Sequence, residues 1–407
     1  MLVQQDPPLH LTYCMNVHPG ESLPEVITAV TTFADDVRKR VSPDRPFGLG
    51  LRLGPDAVDA LQGEALASFK SLLADRNMYA FTLNGFPYGR FHGTRVKENV
   101  YAPDWRSPER LSYTKKLADV LAALLPEGMT GSISTVPVSF RPWIPTIGSL
   151  EPAVFQLLEL SAYLDRLEEE TGRDIRLALE PEPACYLETT QEFIQFFNEH
   201  LLKSRDNEVT VRKRIGICVD TCHAAVQFEH LESSWDLLVA EGIAIPKVQL
   251  SAALRCDAQN ATALEPFAEG VYLHQTRQQQ ADGTIRSWLD LPGMLQQPPG
   301  VEGELRVHFH VPLYWKGDRV LRSTAGLMTP AFFERLRLGH APHLEIETYT
   351  FDVLPQEIAA RGAATTTRAE DVVAPPRGAS SLRLKSASIV DSIEQEYRWT
   401  LQHLNLS

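Results

Sequence analysis

Nine short apolar runs, separated by longer amphipathic or turn-rich segments, constrain this chain more than any other feature. The runs are "HLTYCMNVH" (10–18), "PFGLGLRLG" (46–54), "MYAFTLNG" (78–85), "GSISTVPV" (131–138) and "DIRLALE" (174–180). They continue with "RIGICVD" (214–220), "AIPKVQLS" (244–251), "ELRVHFHV" (304–311) and "HLEIETY" (343–349). Between them, segments such as "SLPEVITAVTTFADDVRKRV" and "SPERLSYTKKLADVLAALL" place apolar residues at helical spacing, often with Ser or Thr at the start. Strands alternating with helices make a parallel sheet. Eight such repeats, with one extra strand at 304–311, predict an α/β fold of the (β/α)8 TIM-barrel kind, a single domain over 1–407.

Two stretches break the repeat. Residues 257–300 are polar and turn-rich, and are expected as a rim insertion with some helix between strands 7 and 8. Residues 362–384 are rich in Ala, Thr, Ser and Pro and read as a flexible linker before the last helix.

The strands also alternate internally. Parallel strands covered on both faces are usually apolar throughout, but here one face is apolar and the other ends in a functional group. Leu11, Tyr13, Met15 and Val17 oppose Cys14, Asn16 and His18; Tyr79, Phe81 and Leu83 oppose Thr82 and Asn84; Ile215, Ile217 and Val219 oppose Cys218 and Asp220. If the apolar faces meet the helices, the others line the barrel axis. Asn16, His18, Arg52, Asn84, Glu180, Asp220, Gln249, His310 and Glu347 then converge on the C-terminal mouth, where barrel enzymes keep their sites.

Buried charge is costly unless it is paired or bound to a cation. Glu180, Asp220, His310 and Glu347 form a carboxylate-and-imidazole set suited to a divalent ion, with Mn²⁺, Mg²⁺, Co²⁺ and Zn²⁺ all admissible. Glu180 and Glu347 are then the expected proton donor and acceptor. Each residue has a plainer role to weigh against this: salt-bridge partners for Glu180 and Asp220, packing for His308, a loop cap for His18, and loop anchors for Glu182 and Glu188. Glu345, deeper on its strand than Glu347, reads as a structural charge.

Bulk properties exclude other classes. The net charge of −13 argues against a nucleic-acid scaffold. No apolar run approaches the about 20 residues that span a bilayer, and no secretory leader is legible, so a cytoplasmic setting is expected. The five cysteines form no C-x-x-C pair and read as free thiols; Cys218 and Cys222, flanking Asp220, are a minor alternative as soft metal ligands.

"LALEPEPACYLET", "GICVDTCHAAVQFE", "KVQLSAALR" and "HLEIETYTFDVLP" resemble the late strands of the xylose-isomerase-like barrel superfamily, which holds sugar isomerases, ketose epimerases and an apurinic endonuclease branch. More narrowly, the block from "TLNGFPYGRFHGTRVKENVY" to "LADVLAALLP" resembles the EboE-type proteins of Ebo metabolite-traffic clusters. The likeness covers nearly the whole chain outside the linker. It implies a metal held by Glu180, Asp220 and Glu347, with His223 and Arg255 on the substrate side; Asn16, His18, Arg52, Asn84 and His308 are the other expected substrate contacts. Gln249 stands where the epimerases carry a metal-binding His. Either His310 replaces it, or the site binds metal weakly.

The expectation is a metal-dependent isomerase or epimerase of a sugar- or cyclitol-like metabolite. A non-catalytic carrier of a polar metabolite and an endonuclease-like phosphodiesterase are the alternatives.

Overall fold

The computed structural model describes residues 1–203, 207–297, 299–353 and 381–406, with side chains in the last stretch from residue 389 onward. The expected linker lies outside the described residues up to 380, and its final four positions already belong to a helix, Ser381–His403.

Short β-rich runs bounded by Gly, Pro and capping residues form the strands. These are β1 (Leu2–Gln4), β2 (Leu9–Tyr13), β3 (Phe47–Leu51), β4 (Met78–Asn84), β5 (Gly131–Thr135), β6 (Ile175–Leu179), β7 (Ile215–Asp220) and β8 (Lys247–Leu250). Then come β9 (Ala253–Asp257), β10 (Thr276–Gln279), β11 (Ile285–Trp288), β12 (Glu304–His310), β13 (Arg322–Ser323) and finally β14 (His343–Ile346). A parallel ladder runs β2–β14–β8–β7–β6–β5–β4–β3, and a bridge between Cys14 and Gly50 joins its two ends. This is the expected eight-stranded barrel; β1 is an antiparallel addition beside β2. Helices such as Pro108–Leu124 and Glu151–Thr171 cover the outside. The apolar faces of the strands meet them: Leu177, Leu179, Ile215 and Ile217 are at most 1% exposed, each worth about 1.5–3 kcal/mol of burial. Among the described residues, no helix is long and apolar enough to cross a membrane.

The interior is filled in tiers. At the floor, His10 meets Tyr79 (2.9 Å) and Phe81 packs on His343. The alternation expected of β4 therefore fails: Phe81 is an extra residue between Ala80 and Thr82, which pair with consecutive residues of β3. That bulge turns Phe81 inward and still leaves Asn84 facing the axis. Above the floor, Lys247 and Glu345 form an ion pair at 2.6 Å. Gly50 permits it, because a Cβ there would lie 1.8 Å from a Glu345 carboxylate oxygen.

The excursion after β8 contains helical segments, Ala258–Phe267 and Leu291–Gln296, and also a second sheet that the sequence did not suggest. This sheet is antiparallel, in the order β11–β10–β12–β9–β13. The extra strand at 304–311 belongs to it, so His308 and His310 reach the mouth from outside the barrel ladder. Polar strands such as "TRQQ" do not show the apolar pattern of a buried strand, which hid the hairpin. Its turn, with Gly283 at φ +84° after Asp282, is the Asp-Gly signal that marks it.

Candidate metal centre

The chain delivers its acids at strand ends. Glu180 follows β6, its amide still donating to Thr135 O (3.0 Å) before the Pro181–Pro183 bend. Asp220 ends β7 and caps the helix Thr221–Val226: Oδ1 accepts from the Cys222 and His223 amides (2.7 and 2.9 Å) and from Ser251 Oγ (2.6 Å). The cap explains why an acid stands at this turn, and the same helix turn brings His223 to the mouth. Glu347 follows β14, with its amide donating to Leu250 O (3.0 Å).

Glu180, Asp220 and Glu347 are 3–5% exposed, and each offers an oxygen within 4.8 Å of the others. Glu347 is held by amides: Asn16 Nδ2 (2.9 Å) and Asn84 Nδ2 (3.3 Å) donate to Oε1, and Gln249 Nε2 (2.5 Å) donates to Oε2. Glu180 Oε2 and Asp220 Oδ2, by contrast, are buried with no hydrogen-bond partner among the described residues. Burial, then Glu347 and Asp220, push the Glu180 carboxyl well up. Burial, then Asp220 and Glu345, do the same to Glu347. Burial works against Asp220 too, but His223, His310 and the hydrogen bonds from Ser251 and the His223 amide hold it below the usual carboxylate range. Three acids drawn together, two of them with an orphaned oxygen, are a donor set that fits a divalent cation.

Three imidazoles lie beside the acids. His223, His308 and His310 are at most 4% exposed. Asp220, His223 and His310 offer a second set of ligand atoms within 4.8 Å, and Cys222, His308 and His310 a third.

Above them is a cavity of about 60 Å³ with a polar floor (Asn16, Asn84, Glu180, His223, His308, Glu347) and aromatic walls that include Phe86, Phe91, Tyr101, Tyr272 and Tyr349. The "NGFPYGRFHGTRVK" segment is one wall. It is pinned by the Val96 and Lys97 amides on Val271 O (2.9 and 3.0 Å) and by Lys97 Nζ on Asp290 (2.7 Å).

Most of the expected residues meet here, some behind the cavity wall. Gln249 stands just below, with both ends of its amide engaged, accepting from Cys218 Sγ (3.1 Å) and donating to Glu347, so it braces that carboxylate. His310 packs behind His308, its Nδ1 on Glu347 O (2.8 Å).

Three expected contacts are placed elsewhere. The chain leaves the extended conformation at Met15–Val17, so alternation no longer aims His18; it stacks on Phe33 and bonds Tyr13 Oη (2.9 Å). Arg52 is consumed by Glu21 (2.9 Å) and Gly89 O (2.7 Å), tying two loops together. Arg255 lies on β9, where the chain has left the barrel; it pairs with Glu304 (3.2 Å) and lines a separate groove with Trp315 and Lys316.

The sequence left a loop-anchor role open for Glu182 and gave no sign of Gln275. Glu182, 6% exposed, lines the cavity and accepts from Tyr101 Oη (2.7 Å) and Gln275 Nε2 (3.0 Å). The spacing of Glu180 and Glu182 in "EPEP" was the available signal; a lone Gln in a polar stretch offers none.

Fold and site together define a class: a (β/α)8 barrel carrying an acid-and-imidazole centre at its C-terminal mouth. No protein-family model and no curated protein matches the sequence. Among solved structures, the chain is similar to a xylose isomerase-like TIM-barrel protein from Mycobacterium smegmatis in complex with magnesium (12% identity over 97% of this chain and 98% of that one, TM-score 0.48). It is also similar to the IolI protein with a bound zinc atom (11%, 98% and 98%, 0.46) and to an L-ribulose 3-epimerase (11%, 96% and 96%, 0.42). At these scores the chemistry has to be read from the side chains described above.

Proposed function

We propose that the protein is a metal-dependent isomerase or epimerase acting on a small polar metabolite of sugar or cyclitol type. One observation carries this reading: three buried carboxylates gathered within 4.8 Å, two of them with an unpartnered oxygen. Glu180, Asp220 and Glu347 would hold the cation, which would supply Lewis acidity toward the substrate. Asp220, held low, stays ionised. Burial and the neighbouring acids push Glu180 and Glu347 above the usual carboxylate range, the direction that a donor and acceptor pair requires. Asn16, Asn84 and Gln249 fix the orientation of Glu347, and the aromatic walls restrict water above it. The EboE-type resemblance would set this reaction in a cytoplasmic metabolite pathway.

A non-catalytic carrier is the second reading. Gln249, Asn16 and Asn84 engage both Glu347 oxygens, which favours a held ligand over a mobile proton. Turnover of a panel of aldoses, ketoses and inositols, with Mn²⁺, Co²⁺ or Zn²⁺ added, separates the two. The enzyme reading expects Glu180→Gln and Glu347→Gln each to lower turnover by about 10²–10⁴-fold. Unchanged turnover in both variants would sink it, and tight binding without turnover would establish the carrier.

A further inference from the structure

The second sheet carries charge that the site at the mouth does not use. Arg322, Arg255, Arg306 and Arg277 stand in register across four neighbouring strands, β13, β9, β12 and β10. Residues directly opposite one another share a face of the sheet, and like charges so placed repel. The chain answers one end of this row well. Arg277 donates to Glu188 (2.8 Å) and to the Trp288 carbonyl (3.3 Å). Arg306 donates to Glu304 Oε1 (2.7 Å) and Ala225 O (2.6 Å), and its guanidinium lies over the Phe228 ring.

The other end is answered poorly. Arg255 has the remaining oxygen of Glu304 (3.2 Å), and Arg322 has Asp257 and that same Glu304 oxygen at 4.0 Å. Three guanidiniums, those of Arg255, Arg306 and Arg322, thus share two carboxylates. The Nε of Arg255 and of Arg322 is buried with no hydrogen-bond partner among the described residues. This end opens on a groove of about 500 Å³, lined by residues of β9, β13 and the closing helix, which shares no lining residue with the cavity at the mouth. In a chain of net charge −13, its walls carry Arg255, Arg322 and Lys316 and, among the described residues, no Asp or Glu. Lys316 is exposed and makes no ion pair among the described residues. Two tryptophans complete the walls. Trp399 is covered by His403, with ring centroids 3.9 Å apart, whereas Trp315 is half-buried and has no ring partner among the described residues.

We infer that this groove binds a nucleoside phosphate, with the phosphates on Arg255, Arg322 and Lys316 and the base against Trp315. Guanidiniums pair their N–H donors with phosphate oxygens, and an indole without a ring partner offers a stacking platform to any base. The groove has the volume of a small-molecule site. A bound anion also relieves the like-charge row at the end where the chain's own acids run short. The inference does not depend on which reaction occurs at the mouth.

The test is titration calorimetry of the full chain with ADP, beside inorganic pyrophosphate and adenosine. One equivalent of ADP is expected, with a dissociation constant of about 100 μM or tighter, and each fragment alone should bind at least about 10-fold more weakly. Arg322→Gln should weaken ADP by about 10-fold or more, and Trp315→Ala by about 5–100-fold. Glu180→Gln, which alters the mouth, should bind ADP as the wild type does. No binding at about 1 mM ADP, or equal affinity in Arg322→Gln and wild type, overturns the inference. Loss of ADP binding in Glu180→Gln alone places the nucleotide at the mouth and overturns it too. Pyrophosphate binding as tightly as ADP, with Trp315→Ala unchanged, refutes the nucleoside and leaves a bare anion. Should Arg322→Gln fail to fold, the exposed Lys316→Ala decides: weaker ADP binding supports the groove, and unchanged binding refutes it.

Discussion

Glu345 and Glu347 leave the same strand on the same face, and both are at most 5% exposed, yet the protein treats them oppositely. Glu345 has a cation of its own: Lys247 Nζ lies 2.6 Å away, with Ser134 Oγ at 3.1 Å, and Glu345 keeps that ammonium above the usual lysine range in spite of its burial. Glu347 has amides in place of a cation, and its neighbours Glu180 and Asp220 are acids. One tier of the barrel interior is thus neutralised by the chain, and the next gathers acids that no lysine or arginine pairs with among the described residues. The contrast separates a structural charge from a site. Buried acids mark function where no built-in partner answers them.

The largest effect is expected from breaking the neutral tier. Lys247→Met leaves Glu345 buried and alone, and should lower stability by about 3–5 kcal/mol in urea unfolding, most of it recovered when Glu345→Gln is added. If Lys247→Met is near neutral, Glu345 is not held by its partner and the comparison fails.

A third buried acid sharpens it. Glu396, on the closing helix, accepts from the Leu313 amide (3.1 Å) and Thr348 Oγ1 (2.6 Å) with no cation beside it among the described residues, and burial raises it from 4.5 to about 7. Its protonated form favours the fold. That contribution is full below pH 4.5, is lost as pH rises through 7, and amounts to about 3 kcal/mol. Glu396→Gln should flatten this part of the stability–pH curve, and an unaltered slope would show that Glu396 titrates normally.

At the mouth the sign is the same without metal. Glu180 and Glu347 are both raised, so the chelator-treated protein should lose stability as pH rises above about 4.5. Zn²⁺ at about 100 times its dissociation constant should add about 2.7 kcal/mol at pH 7.5, measurable as a shift in melting temperature. Glu180→Gln should reduce that gain while stabilising the metal-free protein. An identical zinc response in the variant would remove Glu180 from the ligand set.

The smallest effect concerns the amides. Asn84→Ala removes one donor to Glu347 and should weaken zinc binding by about 10-fold by titration calorimetry, with little change in the unfolding midpoint.

Much of this was legible in the chain. Strand alternation pointed to the barrel, and the residue ending each polar face pointed to Glu180, Asp220 and Glu347, because in a strand the direction of a side chain follows from its parity. It even ranked Glu345 below Glu347 as a site residue. Parity fails where the backbone stops being a regular strand. The turn at Met15–Val17 withdrew His18, the bulge at Phe81 turned that residue inward against the expected alternation, and the departure into a second sheet carried Arg255 to another groove.

The amino-acid order by itself determined which residues could line the axis, since that depends on neighbours a few positions away. Tertiary structure alone decided which of them meet. His308 and His310 come from an antiparallel sheet, His223 from the first turn of a helix, and the tautomers of all three from Pro181, Gln275 and Glu347. Such convergence is set by packing between elements far apart in the chain, and no local pattern encodes it.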